Sequence, residues 1–148
     1  MKNTSLVPKV FIDTNVLLDY LIPARENHKA VLSLFALILN GKIEASFSTQ
    51  SMLDAVYVGR KHPDFIKNYR ETLVALINRT NASYIDTWDM KTALTDPDPD
   101  IEDSAQISFA YNQCCDFIIT NDKQMLSREV PKPMRVMTPE EFVNNCRA

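Results

Sequence analysis

The chain has 148 residues and a mass of 16.9 kDa, which is room for one domain of common size. With 45% apolar and 24% charged residues, its composition is that of a globular protein and excludes a disordered or collagen-like chain. The net charge of −3 argues against a protein that coats nucleic acid with a basic surface, but not against a nuclease whose acids converge on cations.

Several common classes of protein are excluded by what the sequence lacks. No apolar run reaches the roughly 20 residues that span a bilayer, and residues 1–9 lack the pattern of a secretory signal. The three cysteines have no CxxC spacing, so we expect neither disulfides nor a zinc site. The two glycines cannot form a glycine-rich phosphate loop. We therefore expect a cytoplasmic protein that is not a nucleotide-binding enzyme of the common kinds.

The first half of the chain alternates strand and helix patterns. A β-branched strand runs directly into Asp13, Thr14 and Asn15, and a helical apolar pattern follows. In chain order we predict a strand at 9–12, a helix at 16–21, a helix capped by Asn27 and closed by Asn40 and Gly41, and a strand at 43–47. A helix that starts at Ser48 or Thr49 and stops at His62 and Pro63 follows, and then a helix capped by Asp64 that runs to Ile77.

The second half repeats this alternation. We predict a strand at 82–85, a short helix capped by Asp86 or Thr87, a helix at 101–110, a strand at 116–120, a helical turn at 123–127 and a strand at 135–137. Thr138 and Glu141 form a capping box that opens the last helix. Strands separated by helices predict an α/β fold with a parallel sheet and right-handed crossovers.

Four acids are placed where such a sheet gathers its reactive groups. Asp13 and Asp122 follow two strands, and Asp54 and Asp103 lie near the start of helices that begin at the same edge. Carboxylates brought close together repel and raise each other's pKa, so this arrangement is reasonable only around a cation. Glu102, beside Asp103, is a further candidate ligand.

The candidate ligands are all oxygens, which favours Mg²⁺ or Mn²⁺ over zinc or copper. Such ions serve the hydrolysis of phosphate esters, since they lower the pKa of a water and stabilise the charge on the phosphate. The sequence therefore predicts phosphodiester hydrolysis by a metal-activated water, without a protein nucleophile.

Four segments, taken in order, resemble the PIN domain family of the kind found in VapC-type toxins. They are residues 11–19 (FIDTNVLLD), 101–106 (IEDSAQ), 116–122 (DFIITND) and 138–142 (TPEEF). The resemblance covers nearly the whole chain and implies a single PIN-like domain at 1–148, with a Rossmann-like three-layer sandwich around a parallel sheet of four to five strands. It further implies a metal-dependent ribonuclease that acts on RNA, often as a homodimer and often restrained by an antitoxin.

The resemblance also assigns roles to the acids. Asp13 resembles the family's first-strand metal ligand, Asp103 its helical ligand and Asp122 the acid that follows the later strand. Asp54 lies where the family usually has glutamate. This departure shortens the side chain by one C–C bond, so Asp54 would reach the ion less directly or through water.

Neighbouring residues have implied roles as well. Asn15 and Thr120 resemble residues that orient Asp13. Glu102 is either a ligand or a neighbour, because adjacent helical residues point about 100° apart.

Alternative functions remain open from the sequence. The Asp54 departure motivates a catalytically weak PIN-like module that binds RNA or a protein, and a third hypothesis is a small phosphatase of another Rossmann-like family. The acids at 96–100 do not form an EF-hand, since Ile101 and Ile107 stand where glycine and glutamate are required.

Other charged residues are interpreted as structural. Asp19 is expected to be an exposed helix acid, and Asp116 to accept a backbone N–H. The basic residues at 60–70 are interpreted as a solvated helix face rather than as an RNA track.

Overall fold

The computed structural model describes residues 7–147. Residues 1–6, part of the segment expected to lack a secretory signal, and residue 148 lie outside this range. None of the helices described combines the length and the apolar character needed to cross a bilayer. The elements, in chain order, are β1 (Lys9–Ile12), α1 (Thr14–Leu21), α2 (His28–Leu39), β2 (Glu44–Ser48), α3 (Thr49–Gly59), α4 (Tyr69–Arg79), β3 (Asn81–Ser83), α5 (Thr87–Thr95), α6 (Ile101–Asn112), β4 (Phe117–Ile119), α7 (Lys123–Leu126), β5 (Arg135–Met137) and α8 (Pro139–Arg147).

The strands form one parallel sheet in the order β3-β2-β1-β4-β5. β1 is central, and its residues Val10, Phe11 and Ile12 are fully buried. Ile12 pairs with Ile119 of β4, and the backbone N–H of Asp13 donates to the Ile119 carbonyl at 3.1 Å. β1 and β4 therefore end level with each other, which brings Asp13 beside the residues that follow β4.

Helices cover both faces of the sheet, because alternate residues of a buried strand point to opposite sides. On one face Ile12 and Ile119 pack in a core that also contains apolar residues of α1, α2, α3, α4 and α8. On the other face Phe11 and Ile118 pack against α6, where the rings of Phe11 and Phe109 meet edge to face at 5.7 Å. The predicted Rossmann-like three-layer sandwich is confirmed, with five strands.

α5 is fixed to α6 by a buried carboxylate. Asp86 and Asp89 form a full capping box at the start of α5, which selects Asp86 from the two predicted caps. The Asp89 carboxylate also accepts hydrogen bonds from the Ser108 hydroxyl at 2.6 Å and the Asn112 amide at 3.0 Å. These bonds join the start of α5 to α6, so Asp89 fixes how the two helices pack.

The predicted start of α4 is wrong. The sequence pattern places the helix cap at Asp64, but the helix begins at Tyr69. The intervening segment is held in turns: the Asp64 N–H donates to Nδ1 of His62 at 3.2 Å, and the Ile66 N–H donates to the Leu21 carbonyl at 3.1 Å. This tertiary hydrogen bond to α1 overrides the local helical pattern.

β3 is shorter than the predicted strand at 82–85. Its last residue, Ser83, pairs with Ser48, the last residue of β2. The chain turns into α3 directly after Ser48, so β3 has no strand to pair with beyond this point.

We expect Gly59→Ala to destabilise the protein by about 1–3 kcal/mol through overpacking. A Cβ at Gly59 would lie 2.5 Å from Cε2 and 2.7 Å from Cδ2 of the Phe65 ring, and that ring also packs on Tyr69 at 4.7 Å. The helix propensity of alanine offsets no more than about 1 kcal/mol of this cost. Urea unfolding measures the effect, with Phe65→Leu as the relieving background, where the same substitution should cost less than half as much. Equal costs in both backgrounds would contradict the predicted contact.

Candidate active site

Asp13 lies at the carboxyl end of β1 and is only 6% exposed. One carboxylate oxygen accepts the backbone N–H of Thr14 at 2.7 Å, which caps α1, and the other accepts the Thr120 hydroxyl at 2.7 Å. Asn15 Nδ2 lies 3.4 Å from the same oxygen as Thr120. The two residues that the resemblance places around Asp13 thus contact it, and Gln106 of α6 donates a further side-chain hydrogen bond.

Asp122 is held by the same hydroxyl that contacts Asp13. The Asp122 backbone N–H donates to Oγ1 of Thr120 at 3.0 Å, so this hydroxyl both accepts and donates. The Asp122 carboxylate accepts the N–H of Gln124 at 3.0 Å and caps α7. Thr120 therefore fixes the positions of Asp13 and Asp122 relative to each other.

Asp103 enters the site from the first turn of α6, where it is 7% exposed. Its backbone N–H donates to the carboxylate of Asp100, the helix cap, at 3.0 Å. Asp100 and Asp98 in turn donate their N–H groups to Asp98 and Asp96, at 2.9 and 2.8 Å. Carboxylates of the acidic, proline-spaced segment thus accept backbone N–H groups two or three residues further along the chain. These turns position the start of α6 beside the site.

These carboxylates are near enough for their charges to affect one another. Burial and the charges of Asp100, Asp122 and Asp13 raise the pKa of Asp103 to about 7, against an opposing effect of Arg128. Buried acids and like charges nearby both disfavour the ionised form. The charges of Asp13, Asp103 and Asp122 therefore affect one another, although these acids lie in distant segments of the chain.

The pKa of Asp13 is raised for similar reasons. Burial is the largest cause and the charge of Asp122 adds to it, whereas the hydrogen bonds from Thr120 and Thr14 act in the opposite direction. Asp13 is therefore a buried carboxylate whose orientation is fixed by donors.

Glu102 and Asp54 lie at the edge of this region. Burial and the charges of Asp54, Asp100 and Asp13 raise the pKa of Glu102. Glu102 is nevertheless exposed and Asp54 is half-buried, unlike Asp13 and Asp103. The charges of Asp13, Asp103 and Asp122 thus influence one another, and those of Asp54 and Asp13 influence Glu102.

Asp19 corrects an expectation from the sequence. It is 2% exposed rather than an exposed helix acid, and it pairs with Nε of Arg25 at 2.6 Å. It also accepts the side-chain amide of Asn121 at 3.1 Å. Asp19 therefore ties α1 to the loop that carries Asp122. Asp116 behaves as expected and accepts the backbone N–H of Lys9 at 2.9 Å.

Sequence reasoning missed three residues that contact the site. Gln106 is three residues after Asp103, a spacing that shares a helix face and could have identified it. Asp100 was not singled out because it is one of three aspartates in the acidic segment 96–100. No sequence pattern marks Arg128, which donates to Ser104 at 2.9 Å and forms ion pairs with the acidic segment.

The chemistry of the donor set fits a hard divalent cation. Within residues 7–147, Oδ2 of Asp103 is buried without a hydrogen-bond partner. In the same range no three acidic, histidine or cysteine side chains already converge closely enough to hold an ion. The fit therefore rests on that unpartnered oxygen, on the raised pKa values of Asp13 and Asp103, and on an all-oxygen donor set.

The chain is similar to known proteins over most of its length. Ribonuclease VapC1 of Aquifex aeolicus is 27% identical to the chain over 139 residues, which cover 90% of this chain and 92% of that protein. A solved structure of Mycobacterium tuberculosis VapC20, described as a toxin that cleaves the sarcin-ricin loop, has a TM-score of 0.63 at 10% identity and covers 83% of this chain and 97% of its own.

A second solved structure, VapBC2 of Rickettsia felis bound to a DNA fragment from its promoter, has a TM-score of 0.59 at 11% identity and covers 88% of this chain and 98% of its own. Both likenesses concern the fold. The family described as the PIN domain matches residues 9–124, a range that contains Asp13, Asp54, Asp103 and Asp122. The chain therefore belongs to the PIN domain family.

Proposed function

We propose that the chain is a Mg²⁺- or Mn²⁺-dependent endoribonuclease that hydrolyses RNA phosphodiesters. The observation that carries this proposal is the buried, unpartnered Oδ2 of Asp103 in a region shared with Asp13 and Asp122. The names of the relatives support RNA as the substrate class. Buried carboxylates of this kind are costly unless their charge is balanced, which supports a bound cation at this site.

Some residues of the chain would hold the ion, and Thr120 orients one of those ligands. Asp13, Asp103 and Asp122 would hold the ion, and Asp54 and Glu102 would complete the site from its edge. When bound, the ion would supply charge balance, a water of lowered pKa and stabilisation of the charge on the phosphate. Thr120, which donates to Asp13 at 2.7 Å, keeps that carboxylate in one orientation. The nucleophile is water, and no covalent intermediate forms with the protein.

The same family membership supports a wider role. We propose that the chain is the toxin of a toxin-antitoxin pair, that it forms a homodimer, and that it acts in the cytoplasm without a membrane partner. The likeness to VapC proteins supports the antitoxin. Purification of the chain expressed with and without the gene next to its own would test this role. Loss of a co-purifying small protein when that gene is deleted is the expected result.

A mixed RNA pool tests the enzymatic proposal. We expect the full chain to cut the pool in Mn²⁺ and to leave it intact in EDTA, and to leave an aryl phosphate intact in both. Cleavage that survives EDTA would contradict the metal site. Hydrolysis of the aryl phosphate without RNA cleavage would replace the nuclease by a small phosphatase.

The second candidate is a weak RNA- or protein-binding module. It is favoured by Asp54, which carries a shorter side chain than the glutamate usual at this position. RNA binding without cleavage in Mn²⁺ would establish this candidate in place of the enzyme. An Asp54→Glu variant separates the two further, since it should raise cleavage only if Asp54 serves the ion.

A further inference from the structure

α3 carries an exposed aromatic and basic surface that starts at the candidate active site. Asp54 lies on this helix and interacts electrostatically with Glu102. Tyr57 is three residues further on, a spacing that shares the same helix face, and its side chain is 57% exposed. Lys61 follows the end of α3, and its Nζ lies against the Tyr57 ring. Tyr57 therefore lies about one helical turn from Asp54, the acid of α3 whose charge acts on Glu102.

Two cations sit against one exposed ring in this surface, which we call the α3 patch: Tyr57, Arg60 and Lys61. Lys61 Nζ lies 3.9 Å from the centroid of the Tyr57 ring, and the guanidinium carbon of Arg60 lies 5.6 Å from it. The stretch 55–70 contains four lysines and arginines and one aspartate. A locally basic surface thus stands out from a chain whose net charge is −3.

Apart from their contact with the Tyr57 ring, the charges of the α3 patch have no hydrogen-bonding or ion-pair partner among the described residues. Within residues 7–147, Arg60 and Lys61 form no ion pair with a carboxylate, whereas Arg25 and Arg128 do. Both charges are therefore available to an anionic ligand, which a fold-stabilising role does not require.

A substrate phosphate needs such a surface. The site itself holds acids, which attract the cation but repel the RNA backbone, so affinity for the strand must come from groups beside it. Exposed aromatic rings among basic side chains are the usual platform for single-stranded nucleic acid, because bases stack on the ring and phosphates contact the cations.

We propose that single-stranded RNA lies along the α3 patch as it enters the site, with a base stacked on Tyr57 and phosphates on Arg60 and Lys61. This rests on the proposed function and adds the path of the substrate. It replaces the interpretation of these basic residues as a solvated face.

Fluorescence anisotropy of a labelled single-stranded RNA, in EDTA to prevent metal-dependent cleavage, tests the path over a series of salt concentrations. Tyr57→Ala should weaken binding by about 10-fold with an unchanged salt slope. Arg60→Gln with Lys61→Gln should make the slope of log K against log salt shallower by about 1.4. The matched controls are Lys91→Gln on α5 and Tyr111→Ala on α6, where Tyr111 is 51% exposed on the opposite layer.

The outcomes distinguish RNA binding along the α3 patch from RNA cleavage at the candidate active site. The path is overturned if the wild-type chain does not bind the RNA, or if the patch variants bind as tightly as the controls. Cleavage assays in Mn²⁺ should show a raised KM in the patch variants with kcat within about 2-fold, as expected for lost uniform binding. RNA binding that depends on the α3 patch, without any cleavage, would contradict the proposed enzymatic function but support the proposed path of the RNA.

Discussion

Replacing Asp13 by asparagine is expected to lower Mn²⁺-dependent RNA cleavage by about 1,000-fold, the effect of removing several kcal/mol of metal-derived stabilisation. Asparagine keeps an oxygen to accept the Thr14 N–H, so α1 should retain its cap. It removes the charge that an ion at this position would require. Initial rates on a labelled RNA in saturating Mn²⁺ measure the loss, and thermal unfolding in EDTA checks that the variant folds.

Asp116→Asn is the matched control for Asp13→Asn. Asp116 also accepts a backbone N–H beside the central strands, from Lys9 at 2.9 Å, but it lies at their amino ends. Its replacement should leave cleavage within a few-fold of wild type. Equal losses in both variants would show that Asp13 acts through the fold, and retained activity in Asp13→Asn would remove it from the site.

Replacing Asp103 by asparagine is expected to stabilise the metal-free protein at pH 8.5 by about 2–4 kcal/mol, since one pKa unit corresponds to about 1.4 kcal/mol. The folded-state pKa of Asp103 is raised from 3.8 to about 7. Above pH 7 the carboxylate is ionised in both states, and its burial among acids disfavours the folded one. As the pH falls from about 7 toward 4, the folded state takes up the proton first and this penalty disappears.

The stabilisation by Asp103→Asn should therefore shrink to less than half at pH 5. Urea unfolding in EDTA at pH 8.5 and pH 5 measures it, with the exposed Asp64→Asn as a control whose effect should stay small at both. The same variant should lose cleavage, so that stability and activity change in opposite directions. A stabilisation that is equal at the two pH values would contradict the crowding of charge around Asp103.

The sequence predicted the sheet and the positions of the principal acids because both depend on local patterns. Apolar strands such as 9–12 and 116–120 end in polar residues, and parallel strands bring those ends to one edge. Asp13 and Asp122 could therefore be assigned to the same side of the sheet from the order of residues alone. The role of Thr120 beside Asp13, in contrast, was implied only by the resemblance to the PIN domain family.

The remaining features depend on contacts between distant segments. α4 starts late because the Ile66 N–H bonds to Leu21, and Asp19 is buried because Arg25 and Asn121 satisfy its carboxylate. The spacing of apolar residues along the sequence carries no information about such bonds. Arg128 was missed for the same reason, since it reaches the acidic segment only through tertiary structure.

The most direct test of the central claim is anomalous difference density from a crystal soaked in Mn²⁺. We expect a peak bound by carboxylate oxygens of Asp13, Asp103 and Asp122, with Oδ2 of Asp103 among them. A peak held by other residues, or a fully soaked crystal with no peak beside these three acids, would contradict it.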